Sequence, residues 1–588
     1  MLKEAVYHKV NSDYVYPIAE DKLLIKIRTK KDDVKNIKLN FIDKYFYIRN
    51  NKIEMNQNEM KKVATDDIFD YYETIVIFDV ISLTYYFEME DNAGKKIYYG
   101  NNKFQTEKPT HLSKMFIMPT IAKKDLFIVP EWTKDSIVYQ IFPERFKKGG
   151  ENESKEWYEN VKYDSFLGGN IQGIIEKLDY LEELGINTIY LNPIFKSNTN
   201  HKYNTDDYYE IDEEFGTKAD FKELVEKSHK KNIRIVLDAV FNHTGINFFG
   251  FQDVLEKGED SEYADWFEIE EHPVRIEENP NYKTFGHHPY MPKVMMENKE
   301  NIQYFIDVAK YWVKEFDIDG WRLDVADEIS QEFWKKMRRE IRLIKKDVMI
   351  VGEIWYDSSS WLQGDQFDSV MNYMFYDAVE GFIAKNELNV TEFSESLGKI
   401  RGLYKIQAYN AMWNLIDSHD TSRFLYRAKE SIKKLKLASL IQMTYTGIPT
   451  IYYGDELGMS GGDDPHCRKG MIWDEDKQNK KLLEYYKKII KIRNTKKALR
   501  YGDFSEILKE NERKLYGYKR KYKDEEIYVY LNNGTKKVEI KIDGEMYDLL
   551  NAKKVNNKII INAKTGVILE KSEINKYINF EIKIKENT

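Results

Sequence analysis

Two acids close two apolar runs of this chain: Asp324 ends DGWRLDV and Glu353 ends VMIVGE. Cleaving a glycosidic bond through a covalent intermediate needs one carboxylate to attack the anomeric carbon. It also needs one carboxylic acid to protonate the leaving oxygen, about 5 to 5.5 Å away. Neighbouring strands of a parallel barrel supply such a spacing, because their C-terminal ends open on one face. A lone strand-end acid is more often a helix cap, whereas two on consecutive runs, with polar residues ending others, point to chemistry. Arg322 lies two residues before Asp324, so strand alternation puts both side chains on one side. A guanidinium there keeps the carboxylate ionised and oriented. IRIVLDAVFNH contributes Asp238, Asn242 and His243, and AMWNLIDSHDT contributes His419 and Asp420. Donors and a carboxylate fixed around a sugar bind its hydroxyls and stabilise oxocarbenium-like charge.

The elements that must position these residues are also readable. SIVYQIF, INTIYLN, IRIVLDAV, DGWRLDV, VMIVGEIW, DSVMNYM, AMWNLID and IPTIYYG are short buried runs, each followed by polar or helical sequence. Eight such βα units predict an α/β fold, a closed (β/α)8 TIM barrel over 126–500. Between the third and fourth runs lies more chain than one helix needs. This predicts an inserted loop domain after strand 3, about 243–293, above the barrel mouth. Residues 1–125, with KLLIKIRT, YYETIVIFDVI and LTYYFEME between turn clusters, predict an N-terminal β-sandwich. Residues 501–588, with EEIYVYLNN and KKVEIKID, predict a C-terminal β-sandwich.

Composition excludes some classes. Ninety-one Lys and Arg against 99 Asp and Glu give a net charge of -8, with both signs interspersed. No polybasic field exists to hold a phosphate backbone, so no nucleic-acid partner is expected. FLGGNIQG lacks the Gly-Lys-Ser/Thr of a phosphate loop. The single cysteine, Cys467, forms no internal disulfide, and no apolar run reaches about 18 residues. These features predict a cytoplasmic protein with no membrane partner.

DAVFNH, GWRLDVADE, GEIW and NLIDSHDT, in that order, resemble the four principal motifs of the α-amylase superfamily of glycoside hydrolases, and INTIYLNPIF and GIPTIYYGDE resemble two further ones. The resemblance implies Asp324 as nucleophile, Glu353 as general acid/base and Asp420 as transition-state stabiliser. His243, Arg322 and His419 would contact the sugar at the cleavage site, with Asp238, Asn242 and Arg423 counted in the same substrate-binding set. The β-rich N-terminal module, GEIW and MPK resemble the neopullulanase, cyclomaltodextrinase and maltogenic amylase group. In that group HKYNTDDY implies Tyr203 as a stacking platform, with Trp355 beside the acid/base.

The resemblance implies hydrolysis of α-1,4-glucosidic bonds in cyclomaltodextrins, maltooligosaccharides or pullulan, with transglycosylation alongside, and a homodimer through the N-terminal domain. The alternatives on the same barrel are an exo-acting α-glucosidase or a glucan transferase, and, from another class, a catalytically silent glucan-binding protein. No cofactor is required. The group's calcium loop looks degraded, with Lys148 and Gly150 where oxygen ligands belong and Asn170 where Asp is usual, so no metal is expected. MPKVMMEN and Asn204 depart from the group's pattern around the substrate.

Overall fold

The computed structural model describes residues 1–49, 55–77, 82–120, 125–150, 155–159 and 161–571. The N-terminal strands form two antiparallel sheets. Val15–Ala19, Lys22–Lys30, Phe69–Ile77 and Lys61–Thr65 pair in that order in one. Asn56–Glu59, Val34–Asp43, Leu83–Asp91, Lys96–Gly100 and Lys103–Gln105 form the other, with Phe116–Met118 paired to the start of Leu83–Asp91. Alternation along KLLIKIRTK sends Leu23, Ile25 and Ile27 into the core between the sheets. Leu24 and Lys26 turn the other way and are buried as well, because that face docks on the barrel. Lys26 Nζ donates to the Gly402 carbonyl at 3.0 Å and pairs with Glu73 at 3.3 Å, so the buried charge has its partners.

The eight predicted runs are the eight strands of a parallel barrel: Val138–Ile141, Thr188–Leu191, Arg234–Ala239, Gly320–Leu323, Met349–Gly352, Ser369–Val370, Trp413–Leu415 and Ile448–Tyr452. Each pairs with its sequence neighbour, the eighth returns to the first, and a parallel bridge from Met371 to Trp413 closes the ring. Strand alternation divides the side chains into two cores. Val138, Tyr190, Val236, Met349, Val351, Met371, Trp413 and Ile448 fill the interior, while Tyr139, Ile189, Ile235, Trp321 and Ile350 pack outward with the helices. Continuous apolar runs are what strands buried on both faces require.

After the third strand come the helix Phe249–Lys257, an irregular segment bridged at Phe267–Val294 and Ile269–Tyr282, and the helix Lys299–Phe316. The Val294 amide donates to the Asn242 carbonyl at 3.0 Å, tying the end of this insertion to the mouth of strand three. The C-terminal strands, from Asp503–Glu510 to Thr565–Lys571, form an antiparallel sheet. On its strands Tyr516, Tyr518, Val529, Leu531 and Ile568 join the barrel core, and the alternate Leu515, Tyr530, Val567 and Leu569 build a separate core. Its strand Val538–Asp548 shifts register between Lys541 and Glu545.

The N-terminal domain meets the barrel where strand Lys61–Thr65 runs against helix Val390–Leu403. Gly398 makes the approach, because a Cβ there would lie 1.9 Å from the Thr65 carbonyl oxygen. Gly398→Ala therefore pushes the domains apart, at about 1–3 kcal/mol for a forced overlap. Limited proteolysis should cut the 118–138 connection faster in the variant, and an unchanged rate would refute the close-packing account.

Candidate active site

Inward alternation on the fourth strand places Gly320, Arg322 and then Asp324 toward the barrel axis, and on the fifth it places Met349, Val351 and Glu353 there. The guanidinium of Arg322 is the hub. Its Nη1 donates to Asp324 Oδ1 at 2.9 Å and to both oxygens of Asp238, at 2.9 and 3.0 Å. Its Nη2 lies 2.8 Å from Glu353 Oε2. The two acids from neighbouring strands are thus held by one cation; the spacing predicts the Asp324 contact, and the Glu353 contact comes from the pairing of the strands. Glu353 is steered further by the Val325 amide, 3.1 Å from Oε2, and the Trp355 indole N–H, 3.2 Å from Oε1. Trp355 in turn stacks on Tyr373, ring centres 3.7 Å apart.

The third carboxylate follows the seventh strand. Asp420 Oδ2 lies 3.2 Å from His419 Nε2, and its Oδ1 is 3.3 Å from Arg468 Nη2. His419 is flanked on its other nitrogen: Gln140 donates to Nδ1 at 2.8 Å, which leaves the ring proton on Nε2. Tyr203, 2.6 Å from that Nε2 and stacked nearly parallel to the imidazole, donates to Asp238 at 3.0 Å and accepts from Asn192 at 2.9 Å. Burial and the nearby arginines Arg468 and Arg322 hold His419 well below the usual imidazole range, so it is a neutral donor. Burial likewise lowers His243 to about 3.

Asp238, Asp324, Glu353 and Asp420 face two guanidiniums, Arg322 and Arg468. Carboxyl groups therefore outnumber cations where a sugar would develop positive charge in the transition state. Burial pushes Asp324 well above the usual carboxylate range, with Arg322 opposing but not overcoming it and the neighbouring acids adding to the rise, so the guanidinium orients this carboxyl without by itself keeping it ionised as the spacing led one to expect. Burial, then Glu353, raises Asp420 to about 7 against the pull of Arg468.

Not every residue picked from sequence reaches the cleft. Asp238 is buried, and Arg322, Tyr190 and Tyr203 occupy its oxygens, so it orients the hub and the platform and does not face a sugar. Asn242 is buried too, its amide donating to Glu328 at 3.2 Å. Arg423 lies beneath the site: it donates to the Cys467 and Tyr453 carbonyls at 3.0 and 2.8 Å and contacts Asp455. A guanidinium pinned to carbonyls of the following loops cannot also reach substrate. His243 approaches the Tyr203 carbonyl with Nε2, 3.1 Å away, and stacks on Phe285. Val294 is buried in the core beside the mouth, and Asn204 is buried with Oδ1 unpartnered. Sequence reading missed Gln140, Tyr190 and Asn192. Their signal was polarity at inward positions of SIVYQIF and INTIYLN.

A closed (β/α)8 barrel with acids of adjacent strands gathered on one guanidinium, and a third carboxylate across the mouth, is the framework of a glycoside hydrolase. Residues 140–502 match the alpha amylase catalytic domain and residues 1–122 the alpha amylase N-terminal ig-like domain, so the chain belongs to the alpha-amylase family. It is 43% identical over 581 residues to a cyclomaltodextrinase of Thermoanaerobacter pseudethanolicus, covering 97% of this chain and 100% of the relative. It is 42% identical over 540 residues to neopullulanase 2 of Thermoactinomyces vulgaris, covering 91% of each. A solved cyclomaltodextrinase structure superposes with a TM-score of 0.91 at 39% identity, covering 97% of this chain and 100% of that one.

The raised Asp420 has a measurable consequence. Between its unfolded value near 3.8 and about 7, the folded state keeps a proton that the unfolded chain releases. Stability contributed by this group therefore falls as pH rises through that window. Its side chain is 29% exposed, so solvent in the open cleft screens part of the effect. Asp420→Asn should stabilise the protein by about 1 kcal/mol at pH 8, with the gain vanishing near pH 4. Denaturant melts at the two pH values check this, and a gain independent of pH would contradict it.

Proposed function

We propose that the enzyme cleaves α-1,4-glucosidic bonds of cyclomaltodextrins and maltooligosaccharides, and of pullulan, with net retention and accompanying transglycosylation. The observation that carries the mechanism is the single Arg322 guanidinium touching both Asp324 and Glu353. The names borne by the relatives support the substrate class. In the proposed cycle Glu353 gives its proton to the glycosidic oxygen as Asp324 forms a bond to the anomeric carbon, and the aglycone leaves. The ionised Glu353 then takes a proton from water, whose oxygen attacks the glucosyl ester and frees Asp324. Asp420, with His419 beside it, holds the sugar hydroxyls as positive charge grows on the ring. Tyr203 forms the floor under the glucose at the cleavage point, and the half-exposed Trp355 the wall next to Glu353.

Cyclic substrates separate this reading from an exo-acting glucosidase, because a ring offers no chain end. No resident divalent cation is part of the proposal. Asn170 Oδ1 accepts from the Gly149 and Gly173 amides at 3.0 and 2.9 Å, and Lys147 Nζ donates to the Lys148 carbonyl at 2.6 Å. A cap oxygen and an ammonium group do not fit a calcium ligand set. Digestion of β-cyclodextrin with chelator present should give short maltooligosaccharides, and Asp324→Asn should lower kcat by roughly 10³-fold or more with the fold intact. Release of glucose from linear chains alone, with cyclodextrin untouched, would sink the endo-acting reading.

A homodimer in which the N-terminal domain covers the partner's cleft is part of the same proposal. Exposed Tyr45 and Ile48 on one short helix support it, as apolar surface for a second copy to cover. Light scattering should return twice the 70.1 kDa of one chain, and a monomer at micromolar concentration would overturn it. Among the described residues no helix is long and apolar enough to cross a membrane. We propose a cytoplasmic location, supported by a single cysteine, Cys467, which is buried and free.

A further inference from the structure

Beneath the cleft, between the ends of the seventh and eighth strands, two more carboxyl groups lie side by side. Asp417 and Asp455 are each 2% exposed and within hydrogen-bonding reach of each other. Asp417 Oδ2 accepts from the Phe424 amide at 2.6 Å, and Asp455 Oδ1 accepts from Arg423 Nη1 at 3.1 Å. The remaining oxygen of each, Asp417 Oδ1 and Asp455 Oδ2, is buried with no N–H or O–H donor among the described residues. Two bare carboxylate oxygens cannot be neighbours in a dry interior without a proton between them.

Local charge gives the same answer. Buried Glu456 adds a third acid; burial raises it, and its hydrogen bonds from Tyr139, Tyr180 and the Gly454 amide only oppose that rise. Arg423 is the cation touching the pair, and its guanidinium also lies over the rings of Tyr452 and Tyr453. Tyr486 faces the pair from the helix Lys480–Thr495, and Tyr376 faces Asp417 from the helix Tyr373–Val379. Both are neutral hydroxyls. Beyond Tyr376, Arg427 is consumed by Glu380 at 2.6 Å. Three acids against one guanidinium leave the pocket short of positive charge unless an acid stays protonated.

We propose that Asp455 keeps its proton and donates it to Asp417, and that this bond clamps the seventh-strand segment bearing His419 and Asp420 to the loop after the eighth strand. Burial, together with the charge of Asp417, drives the Asp455 carboxyl well above the usual range, with Arg423 opposing. The connection to the site is short. Asp417 stands three residues before Asp420. The Arg423 that grips Asp455 also holds the Cys467 carbonyl, while Cys467 Sγ and Arg468 Nε reach the His419 carbonyl at 3.3 and 2.8 Å. Asp417 and Asp455 are positioning residues: they set where Asp420 stands and touch no substrate.

The test combines infrared spectroscopy with kinetics on the full-length enzyme. The wild-type minus Asp455→Asn difference spectrum at pH 7 should contain a protonated-carboxyl carbonyl stretch distinct from the bands that Asp420→Asn and Asp324→Asn remove. Asparagine keeps an N–H donor toward Asp417, so its kcat should stay within about threefold of wild type. Asp455→Ala removes the donor and should lower kcat about 10- to 100-fold with KM little changed, as for a displaced group. If Asp455→Ala fails to fold, the Asp455→Asn spectrum still decides. Unchanged spectra in Asp455→Asn, or full kcat in folded Asp455→Ala, would overturn the clamp. The kinetic arm rests on the role proposed for Asp420 and the infrared arm does not. A lost band with unaltered kcat would therefore fault the link to Asp420 and leave the shared proton standing.

Discussion

The catalytic end of this barrel depends on one buried guanidinium. Arg322 is sealed from solvent and meets Asp238, Asp324 and Glu353 at once. Removing such a cation from water costs several kcal/mol, which three close carboxylates offset. Those carboxylates would in turn repel one another without it. The arrangement fixes three strand ends together: Asp238 from the third strand, Arg322 and Asp324 from the fourth and Glu353 from the fifth. A change of register at any of them would strand a buried charge.

The rest of the mouth is built outward from this hub by neutral hydrogen-bonding groups. Tyr190 and Tyr203 spend their hydroxyl protons on Asp238, and Gln140 fixes the tautomer of His419. Carboxylates saturated by donors on one side remain free to act on the other. The excess of acids over guanidiniums keeps protons in the cluster near neutrality, a property that acid/base chemistry needs. The same device recurs deeper down at Asp417 and Asp455, both of them buried.

The barrel was legible because its strands are buried on both faces. Such strands read as uninterrupted apolar runs such as INTIYLN and IRIVLDAV, and their number alone calls for closure. Asp324, Glu353, Arg322 and Asp420 were legible because polar residues at the ends of such runs have few other reasons to be there. Arg423 misled. It sits three residues after Asp420, yet the chain turns into a helix at Phe424–Arg427, and the guanidinium is drawn down to carbonyls of distant loops. Asn242 misled in the same way, its amide going to Glu328 while its backbone anchors the insertion.

Sequence by itself determined which groups end the strands and, by period-two alternation, which of them face the axis, since both follow from local covalent geometry. Tertiary structure decided which of those inward groups share a partner. The contacts of Arg322 with Asp238, of Tyr203 with His419, and of Asp417 with Asp455 each join residues tens or hundreds of positions apart. Burial was decided there too. A carboxyl group's proton affinity is set by the water it loses and the charges it gains, and neither exists until the barrel closes.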